Sequence, residues 1–256
     1  MKTWITLACS LVAAATFAEV PVIEGTGNAD GSGFIKVTVA GGSETILAVA
    51  FKDCMSAGQT IALGNLVSTT GLPSAASSNE ADSAARLYVA NGTSYLTYYN
   101  DTSTGWTAYD TGTAAGLTRT VGDAVWLVMP GTSATTYSVY IKGDLVTSQS
   151  VTVSPGLNLI CAAKTEGYKL SALTVTTPAG TKLRKADYFM IPATASTSAQ
   201  TFYWDAANST FRLPGNAPYT TWDDVAATIP AGTGIWYYRS GTNNATITLT
   251  APAQGE

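Results

Sequence analysis

Histidine is absent from this chain. That removes the commonest general base, the serine and cysteine triads that depend on it, and imidazole metal sites. Charge is scarce too: Asp, Glu, Lys and Arg make up 12% of residues, and 13 basic against 17 acidic residues leave no Lys/Arg footprint for nucleic acid. Beyond the first residues, no apolar run approaches the roughly 20 residues of a membrane helix, so no membrane span is expected. Gly232-Thr233-Gly234 lacks the Lys-Ser/Thr of a phosphate loop and leads into a strand pattern. Asn28, Asp30 and Ser32 open like a calcium loop, but Val39 stands where that motif needs a bidentate Glu. No carboxylate pair stands out for glycosidase chemistry. No catalytic residue, cofactor or metal site is assigned, and an enzyme is not expected.

What is present begins with an export signal. Met1-Lys2-Thr3 is a short positive start, Trp4 to Ala15 an apolar run, and Thr16-Phe17-Ala18 ends in a small residue suited to cleavage. Residues 1–18 thus read as a signal peptide, too short to anchor as a membrane helix, with an extracellular or cell-surface mature chain starting near Glu19. Processing removes Lys2 and no acid, so 12 basic and 17 acidic residues remain. It also leaves two cysteines, Cys54 and Cys161. In an oxidising compartment they can form a disulfide worth up to roughly 4 to 5 kcal/mol on the chain-entropy model. Two buried thiols in different strands fit the sequence equally well.

The chain also repeats itself. Ala81-Asp82, Tyr98-Tyr99 and Trp126 return as Ala186-Asp187, Phe202-Tyr203-Trp204 and Trp236, at offsets of 105 (187 − 82), 104 (203 − 99) and 110 (236 − 126). A Val-Thr-Val segment at Val37 returns at Val151, 114 residues on (151 − 37). Near-constant offsets indicate duplication of a domain-sized unit. After an extended Gly-rich lead-in, 19–32, we place one β-domain at 33–146 and its repeat at 147–256.

Short β-branched and aromatic runs between Gly, Asn-Asp and Pro-Gly turns fill both halves, as at Arg86 to Ala90 and Tyr188 to Ile191. Helical turns are expected only near 80–85 and 222–228. The fold class is therefore all-β, as two tandem related sandwich or barrel-like domains. The matched aspartates Asp82 and Asp187, each ahead of a strand, read as turn caps. Rings on a β-scaffold can stack on the C–H face of a sugar, which singles out Tyr99, Trp106, Trp204 and Phe211. Consecutive strand residues face opposite sides, so one ring of each tandem pair must serve the core.

The segment Gly33-Phe-Ile-Lys-Val-Thr-Val-Ala-Gly-Gly-Ser-Glu-Thr-Ile-Leu-Ala-Val-Ala-Phe51 resembles the opening of a group of exported proteins of verrucomicrobial-type bacteria. The likeness extends more loosely to Ala81-Asp82, Tyr98-Tyr99 with Gly105-Trp106, and Ile229 to Trp236. It implies export and a β-rich fold, and carries over no activity or catalytic residue. Secretion, low charge, absent histidine and duplicated β-units together lead to the expectation of a non-enzymatic extracellular structural protein. Such a subunit would form a homo-oligomer or polymer, assembling into surface fibres by strand addition from the stretch Glu19 to Val39 or from Ala245 to Thr250. The alternative is a cell-surface protein that binds polysaccharide through its exposed aromatics.

Overall fold

The computed structural model describes residues 32–53, 59–91, 94–144, 146, 149–161, 167–181, 185–192, 198–215, 222–223 and 227–249. The signal peptide, most of the lead-in and Cys54 lie outside the described residues. What is described is all-β, as its residue pattern requires.

The first unit contains β1 (Ser32–Ala40), β2 (Glu44–Ala48), β3 (Thr60–Ala62), a single helical turn α1 (Leu63–Leu66), β4 (Arg86–Asn91), β5 (Ser94–Asp101), β6 (Gly105–Ala108), β7 (Thr118–Thr120), β8 (Ala124–Val128) and β9 (Thr136–Asp144). One layer is the antiparallel sheet β2-β8-β4-β5-β6, and facing it lie the pairs β1-β9 and β3-β7 with α1. The alternation of apolar and polar residues decides which side of each strand goes inward. Leu87 and Val89 of β4, Val125 and Leu127 of β8, and Val139 and Ile141 of β9 all bury in one core.

The second unit contains β10 (Gln149–Val153), β11 (Gly156–Ile160), β12 (Tyr168–Lys169), β13 (Leu173–Val175), β14 (Tyr188–Ile191), β15 (Gln200–Asp205), β16 (Thr210–Pro214), β17 (Trp222–Asp223), β18 (Thr228–Ile229), β19 (Ile235–Arg239) and β20 (Ala245–Leu249). Its order β11-β19-β14-β15-β16 repeats β2-β8-β4-β5-β6, β10-β20 repeats β1-β9, and β12-β18 repeats β3-β7. None of these sheets closes into a barrel among the described residues. The helical turn expected at 80–85 is a 3-10 turn, Ser78–Ser83. The one expected at 222–228 is instead bounded by strand at both ends, because Trp222 and Asp223 pair with β16 and Thr228 and Ile229 with β12.

Ladder registers make the duplication residue-specific. Leu87 pairs with Tyr98 and Leu127, and Phe189 pairs with Phe202 and Tyr237, so these triplets correspond. Tyr99 then corresponds to Tyr203, Trp106 to Phe211 and Trp126 to Trp236. The offset is 102 at the first strand of this set (189 − 87) and 110 at the last (236 − 126). The Asp82 and Asp187 match is a one-dimensional coincidence, since the ladder places Ala85 opposite Asp187's role.

The two units meet through an approximate two-fold arrangement. Leu47 at the end of β2 bridges to Thr233, and Ile160 at the end of β11 bridges to Asp123. The Ala48 N–H donates to the Gly232 carbonyl at 2.8 Å, and the Cys161 N–H donates to the Gly122 carbonyl at 2.7 Å. These are corresponding bonds, offset by 113 (161 − 48) and 110 (232 − 122). At the centre the corresponding indoles of Trp126 and Trp236 meet edge to face, 6.5 Å apart. Each unit also threads a strand over the other's glycine. A Cβ on Gly122 would lie 2.2 Å from Gln149 and Val151 of β10, and one on Gly232 would lie 2.9 Å from Ile35 of β1. Both glycines have positive φ, 103° and 71°, so only glycine permits this approach.

Candidate functional site: a cleft at the end of the second sandwich

The turn-capping acids are Asp101 and Asp205, at the corresponding ends of β5 and β15. Asp101 accepts hydrogen bonds from the Ser103 hydroxyl at 2.7 Å and N–H at 2.8 Å, and from the Thr104 N–H at 3.1 Å and hydroxyl at 3.2 Å. The Ser103 donors, joined by Thr104, lower its pKa to about 2. Asp205 accepts from the Asn208 amide at 2.6 Å, the Ala207 N–H at 3.1 Å and Arg212 at 3.3 Å. Burial raises its pKa, but these donors together outweigh that and the net shift is downward.

Asp82 and Asp187 have unlike roles. The Asp82 side chain is 92% exposed and pairs with Arg86 one turn on. Asp187 is fully buried and gathers the Tyr237 hydroxyl at 2.5 Å, Arg239 at 2.7 Å, the Ser240 N–H at 2.7 Å and hydroxyl at 2.8 Å, and the Ala179 N–H at 3.1 Å. Burial opposes its ionisation, and the donors from Tyr237, Arg239 and Ser240 overcome that to lower its pKa. The Tyr237 hydroxyl is pushed up by burial and by the carboxylate it serves. In the first unit the corresponding residues are Ala85, Leu127 and Met129, all buried and apolar. The same place in the fold thus holds either an apolar cluster or a saturated ionic network. A carboxylate without solvent access has no route to a substrate, so Asp187 organises structure.

The four aromatics singled out from the sequence divide in two. Tyr99 is 3% exposed and packs with Ala75, Ala81 and Ala84. Trp106 is 2% exposed, in the core, with its indole N–H donating to the Val67 carbonyl at 2.9 Å. Neither offers a face on which a sugar could stack; the connection 69–85 covers them, a shield that strand periodicity cannot reveal. Trp204 and Phe211 are half-buried, directly opposite one another on β15 and β16, with ring centroids 5.2 Å apart. They line a cleft of about 300 Å³ at the open end of the second sandwich.

That cleft is floored by Phe202, which shares the inner face of β15 with Trp204, and by Leu173 of β13. Its polar lining comes from Lys169, Ser171, Thr174, Ser209 and Thr210. These residues were not evident from the sequence. Lys169 and Thr174 belong to two very short strands, Ser171 to a 3-10 turn and Ser209 to a hairpin turn, none with a periodicity to mark it, and Thr210 is the first residue of β16. The positive φ of Ser209, 51°, sits in the hairpin turn that Asp205 caps, so the turn's hydrogen bonds hold a conformation that costs an L-residue energy.

The outer face of the same sheet carries a second aromatic feature. Tyr188 stacks on Tyr238 at 5.0 Å and tilts against Tyr203 at 5.3 Å, in one cross-strand row. The corresponding row of the first unit is Val128, Arg86 and Tyr99, which has no such stack. Cys161 is a free buried thiol, and burial pushes its pKa up. No group of three potential metal-binding side chains occurs among the described residues, and no described helix is long and apolar enough to cross a membrane. No protein-family model, curated protein or solved structure matches the chain.

Proposed function

We propose that this is a secreted, non-enzymatic cell-surface protein that binds carbohydrate through the cleft of its second unit. The observation that carries the reading is the pairing of two aromatic faces, Trp204 and Phe211, with a ring of hydroxyls in one cleft. Apolar ring faces accept the C–H side of a pyranose, and hydroxyl and ammonium groups at fixed positions give orientation. The absence of histidine agrees with a role in binding rather than hydrolysis. A glycan array probed with the mature protein tests it: Trp204→Ala should abolish binding while the thermal transition is kept. Binding that survives in that variant, or no binding to any glycan, sinks the reading.

A second reading, a structural subunit that polymerises by strand addition, is favoured by β1. This nine-residue strand forms a ladder only with β9 among the described residues, so its other edge has no strand. Such an edge is a template for an incoming segment. The edges of β2 and β11 are met by cross-unit bonds and that of β6 by residues 113–115, whereas β10, the counterpart of β1, ladders only with β20 and is the shorter of the two. Deleting residues 19–31 should prevent filaments seen by electron microscopy. A strictly monomeric mature protein in sedimentation would remove this reading.

A further inference from the structure

The two units hold the same space in two states, filled and open. In the first unit it is closed by Trp106 of β6 and Leu117, which precedes β7. Phe211 and Ala227 stand at the corresponding places in the second. The correspondence at Ala227 is set by matched bonds: the Leu63 N–H donates to the Leu117 carbonyl at 2.9 Å, and the Leu170 N–H to the Ala227 carbonyl at 3.0 Å. Both replacements are smaller, and both line the cleft.

The connection that covers this end also differs. In the first unit it runs from Val67 to Arg86, a span of 19 (86 − 67), and Asn100 of β5 pins it by donating to the Leu72 and Pro73 carbonyls. In the second it runs from Leu173 to Tyr188, a span of 15 (188 − 173). Trp204 replaces the pinning Asn100 and itself lines the cleft, and no corresponding pin of this connection is seen among the described residues.

What the first unit puts there is informative about what the second can take. It is one flat group whose N–H donates to the Val67 carbonyl at 2.9 Å. Val67 corresponds to Leu173, and the ladder turns both carbonyls away from the neighbouring strand. Ser68 bonds across to Tyr140 at 3.3 Å and Thr176 to Thr246 at 2.8 Å, so by alternation Val67 and Leu173 point outward. In the second unit Leu173, with its carbonyl turned away from β20, is one of the residues that line the cleft.

Resting on the carbohydrate reading above, we propose that the cleft takes a single pyranose ring, a terminal sugar, in the place Trp106 holds in the first unit. One ring hydroxyl donates to the Leu173 carbonyl, the C–H face lies against Trp204 and Phe211, and Ser171 and Thr174 bind the remaining hydroxyls. The first unit is plugged by its own tryptophan and binds none, so the chain is monovalent.

The test is calorimetric titration of the full mature chain with methyl glycosides of glucose, galactose, mannose and N-acetylglucosamine, and with trisaccharides ending in each. A single ring predicts one site per chain for a methyl glycoside, and a matching trisaccharide no more than about threefold tighter. Phe211→Trp with Ala227→Leu should install the first unit's plug and abolish titration. Ala227→Leu alone, the milder change, should weaken it at least about tenfold if the pair fails to fold. Trisaccharides binding more than about tenfold tighter, two sites per chain, or titration unchanged by Ala227→Leu would each overturn the single-ring proposal and leave the carbohydrate reading standing. No heat with any of these sugars would overturn the single-ring proposal; the glycan array then decides the broader reading.

Discussion

Cutting Asp187 back to alanine should be the most damaging single change in the second unit, and copying the first unit should largely repair it. Asp187 is fully buried, and its partner Arg239 is 5% exposed. Removing the carboxylate leaves the guanidinium charge without a counter-ion, although Arg239 still donates to the Thr177 carbonyl at 2.9 Å and the Asn243 carbonyl at 3.0 Å. It also leaves the Tyr237 hydroxyl and two backbone N–H groups without their acceptor. Breaking a buried pair in this way costs about 3 to 5 kcal/mol. For a chain of this size that lowers Tm by about 6 to 20 °C.

The first unit already contains the apolar solution, as Ala85, Leu127 and Met129. Replacing a whole buried ionic cluster by well-packed apolar residues is commonly neutral or stabilising. Asp187→Ala with Tyr237→Leu and Arg239→Met should therefore be at least about 2 kcal/mol more stable than Asp187→Ala alone. It will not fully reach the parent, because Tyr237 also packs on Phe189 at 4.8 Å. Urea unfolding followed by tryptophan fluorescence measures both variants. A triple variant as unstable as the single one would refute the account, as would a single variant that loses under about 1 kcal/mol.

Acid should weaken the fold through the same carboxylates. The pKa values of Asp101, Asp187 and Asp205 are all lowered on folding, so their contribution is present above the ordinary aspartate range and is lost as pH falls through the folded values. NMR titration should show Asp101 protonating near 2, and a midpoint near 4 would contradict its hairpin bonds. Gly122→Ala and Gly232→Ala should each destabilise by more than about 1 kcal/mol, whereas Gly64→Ala, in open space in α1, should gain up to about 1 kcal/mol. Equal thermal shifts for all three would break the two-fold interpretation. Cys161 should resist iodoacetamide in the folded chain and react on unfolding, as mass spectrometry of its peptide would show; rapid native labelling would contradict its burial.

Much of the local structure was legible before folding. Arg86 to Ala90, Tyr188 to Ile191 and the other strongly alternating runs are strands because the pleat has a period of two and one face must bury. Strands such as β12, β13 and β18 were not legible, since two or three residues carry no period and become strands only when a partner arrives. The aspartate match failed for a related reason. Spacing along a chain with variable loops does not fix ladder register, and hydrogen bonding picked Asp101 and Asp205 instead.

By itself, then, the sequence determined an all-β chain without histidine chemistry, written as two related halves, because composition and alternation act locally. Only the tertiary structure decided which rings are core and which line a cleft. Trp106 and Trp204 look alike in sequence, yet one is covered by the long connection after Val67 and the other stands beside the shorter one after Leu173. Exposure is a property of what packs above a residue, and that depends on contacts between segments far apart in the chain.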